Sequence, residues 1–299
     1  MRLWISVILL TSSAVAHSET TTIDSGYIDS GYFEITLAND IIFHSDDNYT
    51  GGGYIGWSPK GSRFEFHTAV DIYTPTNKKT ETQPKGEHPY AAYGYIGFIY
   101  NIPVMTDRFS MSIGADFGSV GPRIKGGGIQ NWIHLQGNKP LFNGWDNQIF
   151  NLWVYNLKNK TQFTVISLNN MKLGLYSPLE CGNYRCSFGL GVEARLGFNV
   201  KKFGHHRQSN SSYYVFARIE KQHVTKDIAL QGNFKKKNGQ AINSYSVELV
   251  NDIVVTNVGA RLDFNIFFFE LELIEVSKQF TTQVPSKDRH STLSLGFRY

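Results

Sequence analysis

The chain has 299 residues, a formal net charge of +4, 41% hydrophobic residues and two cysteines. So small a charge, with no basic patch, offers nucleic acid no footprint, and past the N-terminus no segment is apolar for the ~20 residues a membrane-crossing helix needs. What remains is a secreted globular domain or an outer-membrane barrel, whose alternating apolar and polar residues average to the negative mean hydropathy seen here.

The first element is a leader. Arg2 precedes an apolar run from Leu3 to Leu10, and small residues follow, ending Ala14-Val15-Ala16. That is the pattern of a secretory signal peptide with an A-x-A cleavage site. Residues 1–16 are read as signal peptide and 17–299 as the mature outer-membrane barrel.

From there the signal is alternation with period two. Twelve strands are expected, at about 31–42, 50–59, 62–73, 90–101, 107–118, 145–157, 161–176, 185–200, 211–231, 242–264, 266–281 and 289–299. CSFGLGVEARLGFNV is the clearest: Phe188, Leu190, Val192, Ala194, Leu196 and Phe198 point one way, with Gly189, Gly191, Glu193 and Arg195 the other. A soluble sandwich also alternates. Strand length, an apolar face opposed by Arg, Glu and Gly, and a last strand ending on Tyr299 favour a barrel. The fold class is all-β: a twelve-stranded antiparallel transmembrane β-barrel with a short helix, at about 125–137, in an extracellular loop.

With strand 1 running outward, PKGS, NIPVMTD, LKNK and the turn near Asn265 become periplasmic. The connections near 43–49, 74–89, 119–144, 177–184 and 232–241 become extracellular. KKFGHHRQSN, at 201–210, is longer than a periplasmic turn needs, and the sequence supplies no reason. Cys181 and Cys186, in an exported chain, read as one small-loop disulfide. Trp57, Trp132 and Trp145 are expected at the lipid interface.

Three outer segments carry chemistry. In the first, Asn39 and Asp40, then Asp46, Asp47 and Thr50, gather oxygens that suit a hard cation, Ca2+ before Mg2+. For Asp46 and Asp47 a plain polar turn is the better reading. In the second, Lys78 and Lys79 face a choice between phosphate contact and simple solvation; Lys235, Lys236 and Lys237 pose the same choice and read as solvated. In the third, His134 is a candidate general base, with Gln130 and Asn131 one helical turn before it. No G-x-S-x-G occurs, so a histidine beside a cation points to water as the attacking group.

LANDIIF, DNYTGGGYIGW, AVDIYTP, GSVGP, GGGIQNWIH, GWDNQI and ALQG, in that order from Leu37 to Gly232, resemble the lipid A 3′-O-deacylase family, the LpxR-like outer-membrane enzymes. The resemblance implies a twelve-stranded barrel that removes the 3′-linked acyloxyacyl chain of lipid A by Ca2+-dependent ester hydrolysis. It implies His134 as the base, Asn39 and Asp40 as the polar pair that positions calcium, Thr50 as a further member of the site, and Lys78 and Lys79 at the lipid A head group. Lys79 stands where the family often has Arg, Gly128 replaces an acid, and Asn138 and Lys139 stand where the family can supply a Glu. The implied partner is lipid A or lipopolysaccharide of the outer leaflet, met by a monomer. Two other readings stay open: another outer-membrane lipid esterase such as a phospholipase, and a non-catalytic barrel serving as pore or structural protein.

Overall fold

The computed structural model of the chain describes residues 30–39, 48–77, 80–102, 108–203, 210–232 and 246–299. The expected signal peptide lies outside them, as do Asp40, Asp46, Asp47, Lys78, Lys79 and Lys235–Lys237. Twelve antiparallel strands form a closed barrel. They are β1 (Tyr32–Asn39), β2 (Tyr49–Ser58), β3 (Phe64–Tyr73), β4 (Ala91–Asn101), β5 (Phe109–Val120), β6 (Leu152–Ser167), β7 (Met171–Gly182), β8 (Arg185–Phe198), β9 (Ser212–Asp227), β10 (Asp252–Asp263), β11 (Phe267–Ser277) and β12 (Lys287–Arg298). β1 pairs with β12 from Tyr32↔Arg298 to Asn39↔Ser291, so no sheet edge is left open. Helix α1 (Gly126–Gln136) is where the sequence placed it; a short second helix, α2 (Ile228–Gln231), continues β9, where the reading had strand to 231.

The wall is inverted relative to a soluble protein. Phe33, Ile35, Leu37, Phe98, Leu190, Leu196 and Val258 are exposed, while Glu65, Asp116, Glu193, Asp263 and Arg298 are buried. Apolar residues face lipid and charges face the lumen, as the period-two pattern requires. At the end where the chain finishes, the Trp57 indole N–H donates to the Tyr299 hydroxyl at 2.7 Å. Phe64, Phe66, Phe297 and Tyr299 join the aromatic rim there.

Ion pairs cross the lumen. Asp263 is held by Arg298 (2.6 Å), Lys201 (2.8 Å) and Arg261 (2.9 Å). Higher up, Glu193 pairs with Arg195 at 2.7 Å and Glu272 with Arg218 at 3.1 Å. His67 donates to Asp116 at 2.8 Å, and Lys158 also pairs with Asp116. Of the long 201–210 connection, residues 201–203 turn inward as a plug. Phe203 is buried where a Cβ on Gly174 would meet it at 2.4 Å, the Arg195 guanidinium stacks on its ring at 4.4 Å, and Lys201 reaches Asp263.

Three boundaries depart from the sequence reading. LKNK is not a turn but the middle of β6, and the turn is at 168–170. Lys158 and Lys160 look like loop residues in sequence; they are lumen-facing, over the rings of Tyr95 and Tyr176. Consequently the strands expected at 145–157 and 161–176 become one strand and part of the next. The loop expected at 177–184 shrinks to a tight hairpin at Asn183-Tyr184, with Cys181 and Cys186 disulfide-bonded across β7 and β8. Finally, of the strand expected from 242, residues 246–251 contribute only the isolated bridge Leu249↔Phe280.

The outer mouth is covered by loops that bond to each other. Thr76 donates to the Val284 carbonyl at 3.3 Å, and Thr281 N–H donates to the Glu248 carbonyl at 2.9 Å. His88 lies buried under this cover, stacked on Tyr73 at 5.1 Å, its Nδ1–H donating to the Pro89 carbonyl at 2.6 Å. Burial lowers its pKa from the ordinary 6.5 to about 4, partly offset by that hydrogen bond.

Two outcomes are expected. Asp263→Ala removes the buried carboxylate shared by three cations and should destabilise the barrel by about 3–5 kcal/mol, read as a lower urea midpoint. Because the unfolded His88 binds a proton that the folded one does not, stability of the loop cover is complete above pH 6.5 and is lost as pH falls toward about 4. Limited proteolysis at the outer loops should accelerate across that window in the wild type and much less in His88→Phe.

Candidate active site on the outer wall

The excursion between β5 and β6 does not cap the lumen. It folds down over the lipid-facing side of the wall. Its two ends are pinned at the start of β4: Gly121 N–H donates to the Ala92 carbonyl and Ile149 N–H to the carbonyl of Tyr90, just before the strand, each at 2.9 Å. Between them Ile72, Tyr90, Ala92, Phe142 and Trp145 form a small core, with Val70 and Ile124 against it. Ile72 and Ala92 are outward residues of β3 and β4, in register with one another. They are buried only because the excursion covers them.

Glycine sets how close α1 comes. A Cβ on Gly126 would stand 2.4 Å from Ala92 Cβ, and one on Gly127 would stand 2.5 Å from Trp145 Cγ. The helix therefore lies almost on the sheet and the indole. Its buried stripe is Gly126, Gln130 and His134, spaced by four. Trp132, 63% exposed, and Leu135, 62%, turn the other way, while Ile129 and Ile133 are exposed at the edge of the stripe. An apolar face turned outward beside a lipid-facing wall places α1 in the interface. Trp132 and Trp57 are thus where the sequence put them. Trp145 is not: it is buried under α1, its indole N–H donating to Gln130 Oε1 at 2.8 Å.

His134 ends the stripe, 7% exposed. After it Gly137 closes the helix onto the Ile133 carbonyl, Asn138 adopts φ +50°, and Lys139 N–H returns to the His134 carbonyl at 2.8 Å. That reversal brings the Pro140 carbonyl to His134 Nδ1 at 2.7 Å. A carbonyl only accepts, so Nδ1 carries the proton and the neutral ring keeps its lone pair on Nε2. Phe142 packs edge-on to the imidazole at 5.1 Å. Asn131 holds the returning segment, its Oδ1 accepting from Phe142 N–H at 3.1 Å.

Between α1 and the wall lies a cleft of about 610 Å³, lined by Asn39, Thr50, Gln130 and His134 among mostly apolar neighbours. Asn39 opposes Gly51 across β1 and β2, where a Cβ would meet its amide at 3.5 Å. Thr50 sits at a bulge between β2 and β3, its hydroxyl 2.7 Å from that of Thr74. Gly53 leaves open space above it. So the structure brings together His134, Asn39 and Thr50, which are far apart in sequence. Asp40 follows Asn39 directly but, like Lys78 and Lys79, lies outside the described residues.

One participant was read only as a neighbour. Gln130 is 3% exposed; its Oε1 is held by Trp145, and its Nε2 has no hydrogen-bond partner. Its position four residues before His134 was the available signal. The oxygens of Asn39 and Thr50 are donors of the kind a hard divalent cation takes. Among the described residues no three His, Cys, Asp or Glu side chains come together as a metal cluster, and Asn138 and Lys139 bring no carboxylate.

The family described as "Outer membrane protein LpxR" matches the chain over residues 3–299. The structure of LpxR from Salmonella typhimurium is similar with a TM-score of 0.77 and 26% identity, covering 89% of this chain and 99% of that one. The NanC porin (TM-score 0.45, 6% identity, 89% and 100% covered) and the KdgM porin (0.44, 8%, 90% and 99%) are too distant to bear on the site. No curated protein sequence matches the chain.

Gly127→Val forces α1 off Trp145 and should lower activity on a lipid ester by about 100-fold, because a displacement near 1 Å of a reacting group costs about that much. Heat-modifiable migration in gels should stay that of the intact barrel.

Proposed function

The chain belongs to the family of the outer-membrane protein LpxR, lipid A deacylases of the bacterial outer membrane, and from that premise we propose that it hydrolyses the ester linking the 3′ acyloxyacyl chain of lipid A, with His134 as general base. The observation that carries this reading is the 2.7 Å contact of His134 Nδ1 with the Pro140 carbonyl, which leaves Nε2 as the basic atom of a side chain lining the cleft. The cleft lies on the lipid side of the wall, so an outer-leaflet lipid can bring its ester in sideways without leaving the membrane.

In this mechanism His134 Nε2 takes a proton from water while the water oxygen attacks the ester carbonyl. The tetrahedral adduct then expels the sugar oxygen, which recovers the proton from the imidazolium. The products are the freed acid and the 3′ hydroxyl. The Pro140 carbonyl holds the neutral ring in one tautomer and fixes its orientation. Gln130, fixed by Trp145, can donate its amide N–H into the cleft. Asn39, Asp40 and Thr50 are the residues that would hold Ca2+. Bound there, the ion would draw charge from the ester carbonyl and so favour the developing oxyanion. Lys78 and Lys79 are assigned to the phosphate of the head group, Lys79 as a point charge without the fork an Arg would present.

Two competing readings are weaker on specific grounds. A serine hydrolase needs a nucleophile beside its histidine, and no Ser or Cys is among the described residues that line the cleft. A pore needs an open lumen, and the described lumen is crossed by the Asp263, Glu193 and Asp116 ion pairs.

Lipid A from cells expressing the wild type should lose a 3′ acyloxyacyl group by mass spectrometry, and a chelator added to the membranes should prevent this. His134→Ala should be slowed at least about 100-fold with the barrel intact. Near-normal turnover by His134→Ala would sink the base assignment. Lipid A unchanged by the folded wild type would sink the substrate.

A further inference from the structure

The cleft does not end under α1. A second hollow of about 700 Å³ lies on the same outer wall and shares Ile55 and Thr68 with it. The strand register explains why the two connect. Across β2 and β3, Gly53 pairs with Val70, Ile55 with Thr68 and Trp57 with Phe66. Across β4 and β5, Ile96 pairs with Phe117 and Phe98 with Ala115. All these side chains point to lipid, and most are large. Gly53, Thr68 and Ala115 are the small ones, each in a lower row than the last. They form the floor, with Ile96 and Phe98 standing between Thr68 and Ala115. The floor stays apolar, because the Thr68 hydroxyl is spent on the Tyr95 carbonyl at 2.9 Å.

The depth fits one leaflet. From Gly51, beside Asn39, to Trp57 is six residues of β2. That is roughly 20 Å of strand and, at ~45° tilt, roughly 14 Å of depth, or about half of a ~30 Å hydrocarbon core. A chain whose ester sat by His134 would run down this wall to about the bilayer centre.

We propose that this hollow is the acyl subsite of the enzyme: the fatty acyl chain carried by the scissile ester lies along Gly53, Thr68 and Ala115, and the hollow's depth selects chain length. The inference rests on the ester-hydrolase reading above and adds to it which surface measures the chain. The occupant is the substrate's own chain, because the hollow is continuous with the cleft that holds His134; bulk membrane lipid is the alternative that the test must separate.

The test compares wild type with Thr68→Trp, Ala115→Trp and, on the far wall, Val258→Trp. Each is assayed in detergent micelles on two lipid A preparations whose 3′ chains are long or short. Heat-modifiable migration confirms folding of all three lipid-facing variants. Blocking the floor should lower kcat/KM for long chains by about tenfold, since a few methylenes lose their seat. Thr68→Trp, nearer the ester, should reject shorter chains than Ala115→Trp does, and Val258→Trp should match wild type. The proposal is overturned if both floor variants keep the wild-type length profile, which leaves the wall to bulk lipid. It is equally overturned if they lose all lengths alike or if Val258→Trp shifts the profile as much. Absence of hydrolysis by the wild type on either preparation instead removes the ester-hydrolase reading, and the subsite falls with it.

Discussion

In hydrocarbon a backbone N–H or C=O finds no water, so every such group in the membrane must be met by another strand. Closing β1 onto β12 meets that demand around the whole ring. The closed ring then fixes everything else. Alternate side chains must face lipid or lumen, so the apolar residues go outward and the charges inward. The lumen's charges in turn must be paired, and the Asp263, Glu193 and Asp116 clusters that pair them cross the described interior. The surface that faces lipid is the outside of the wall.

That surface is apolar by necessity, and a hydrolytic site needs polar groups. The structure reconciles the two by bringing polar atoms onto the wall from above. The excursion between β5 and β6 descends over β3 and β4, and α1 turns Trp132 and Leu135 outward to the lipid and its Gln130 and His134 inward. Close approach is possible because Gly126 and Gly127 stand on the helix side of the contact, against Ala92 of the sheet and Trp145. A sheltered cleft results, with an imidazole, an amide and a hydroxyl in otherwise apolar surroundings. Electrostatic interactions in such surroundings are stronger than in water.

How much of this was legible depended on which pattern each segment had to satisfy. The strands of β8 and β9 carry unbroken alternation and were placed to within a few residues. In β6 the alternation is interrupted by outward Asn159 and inward Lys158 and Lys160, which mimic a turn; Asp116, forty-odd residues earlier in the chain, and the Tyr176 ring explain why lysines belong there. The inward turn of residues 201–203 was opaque for the same reason, since it is made against Asp263 and Gly174. Trp145 was misplaced because a Trp near a membrane surface suits the interface as well as a core, and only its bond to Gln130 decides between them.

Sequence alone determined the architecture, the strand count and the helix near 125–137, and singled out His134 as the candidate base. Each depends on local periodicity or on a short motif, and both are written in neighbouring residues. The tertiary structure decided which atom of His134 is basic, which glycines let the helix meet the wall, and that Asn39, Thr50 and His134 share one cleft. Those facts depend on strand register and on the return of a loop to a distant strand, where residues far apart in the chain are brought within a few ångströms by closure of the barrel.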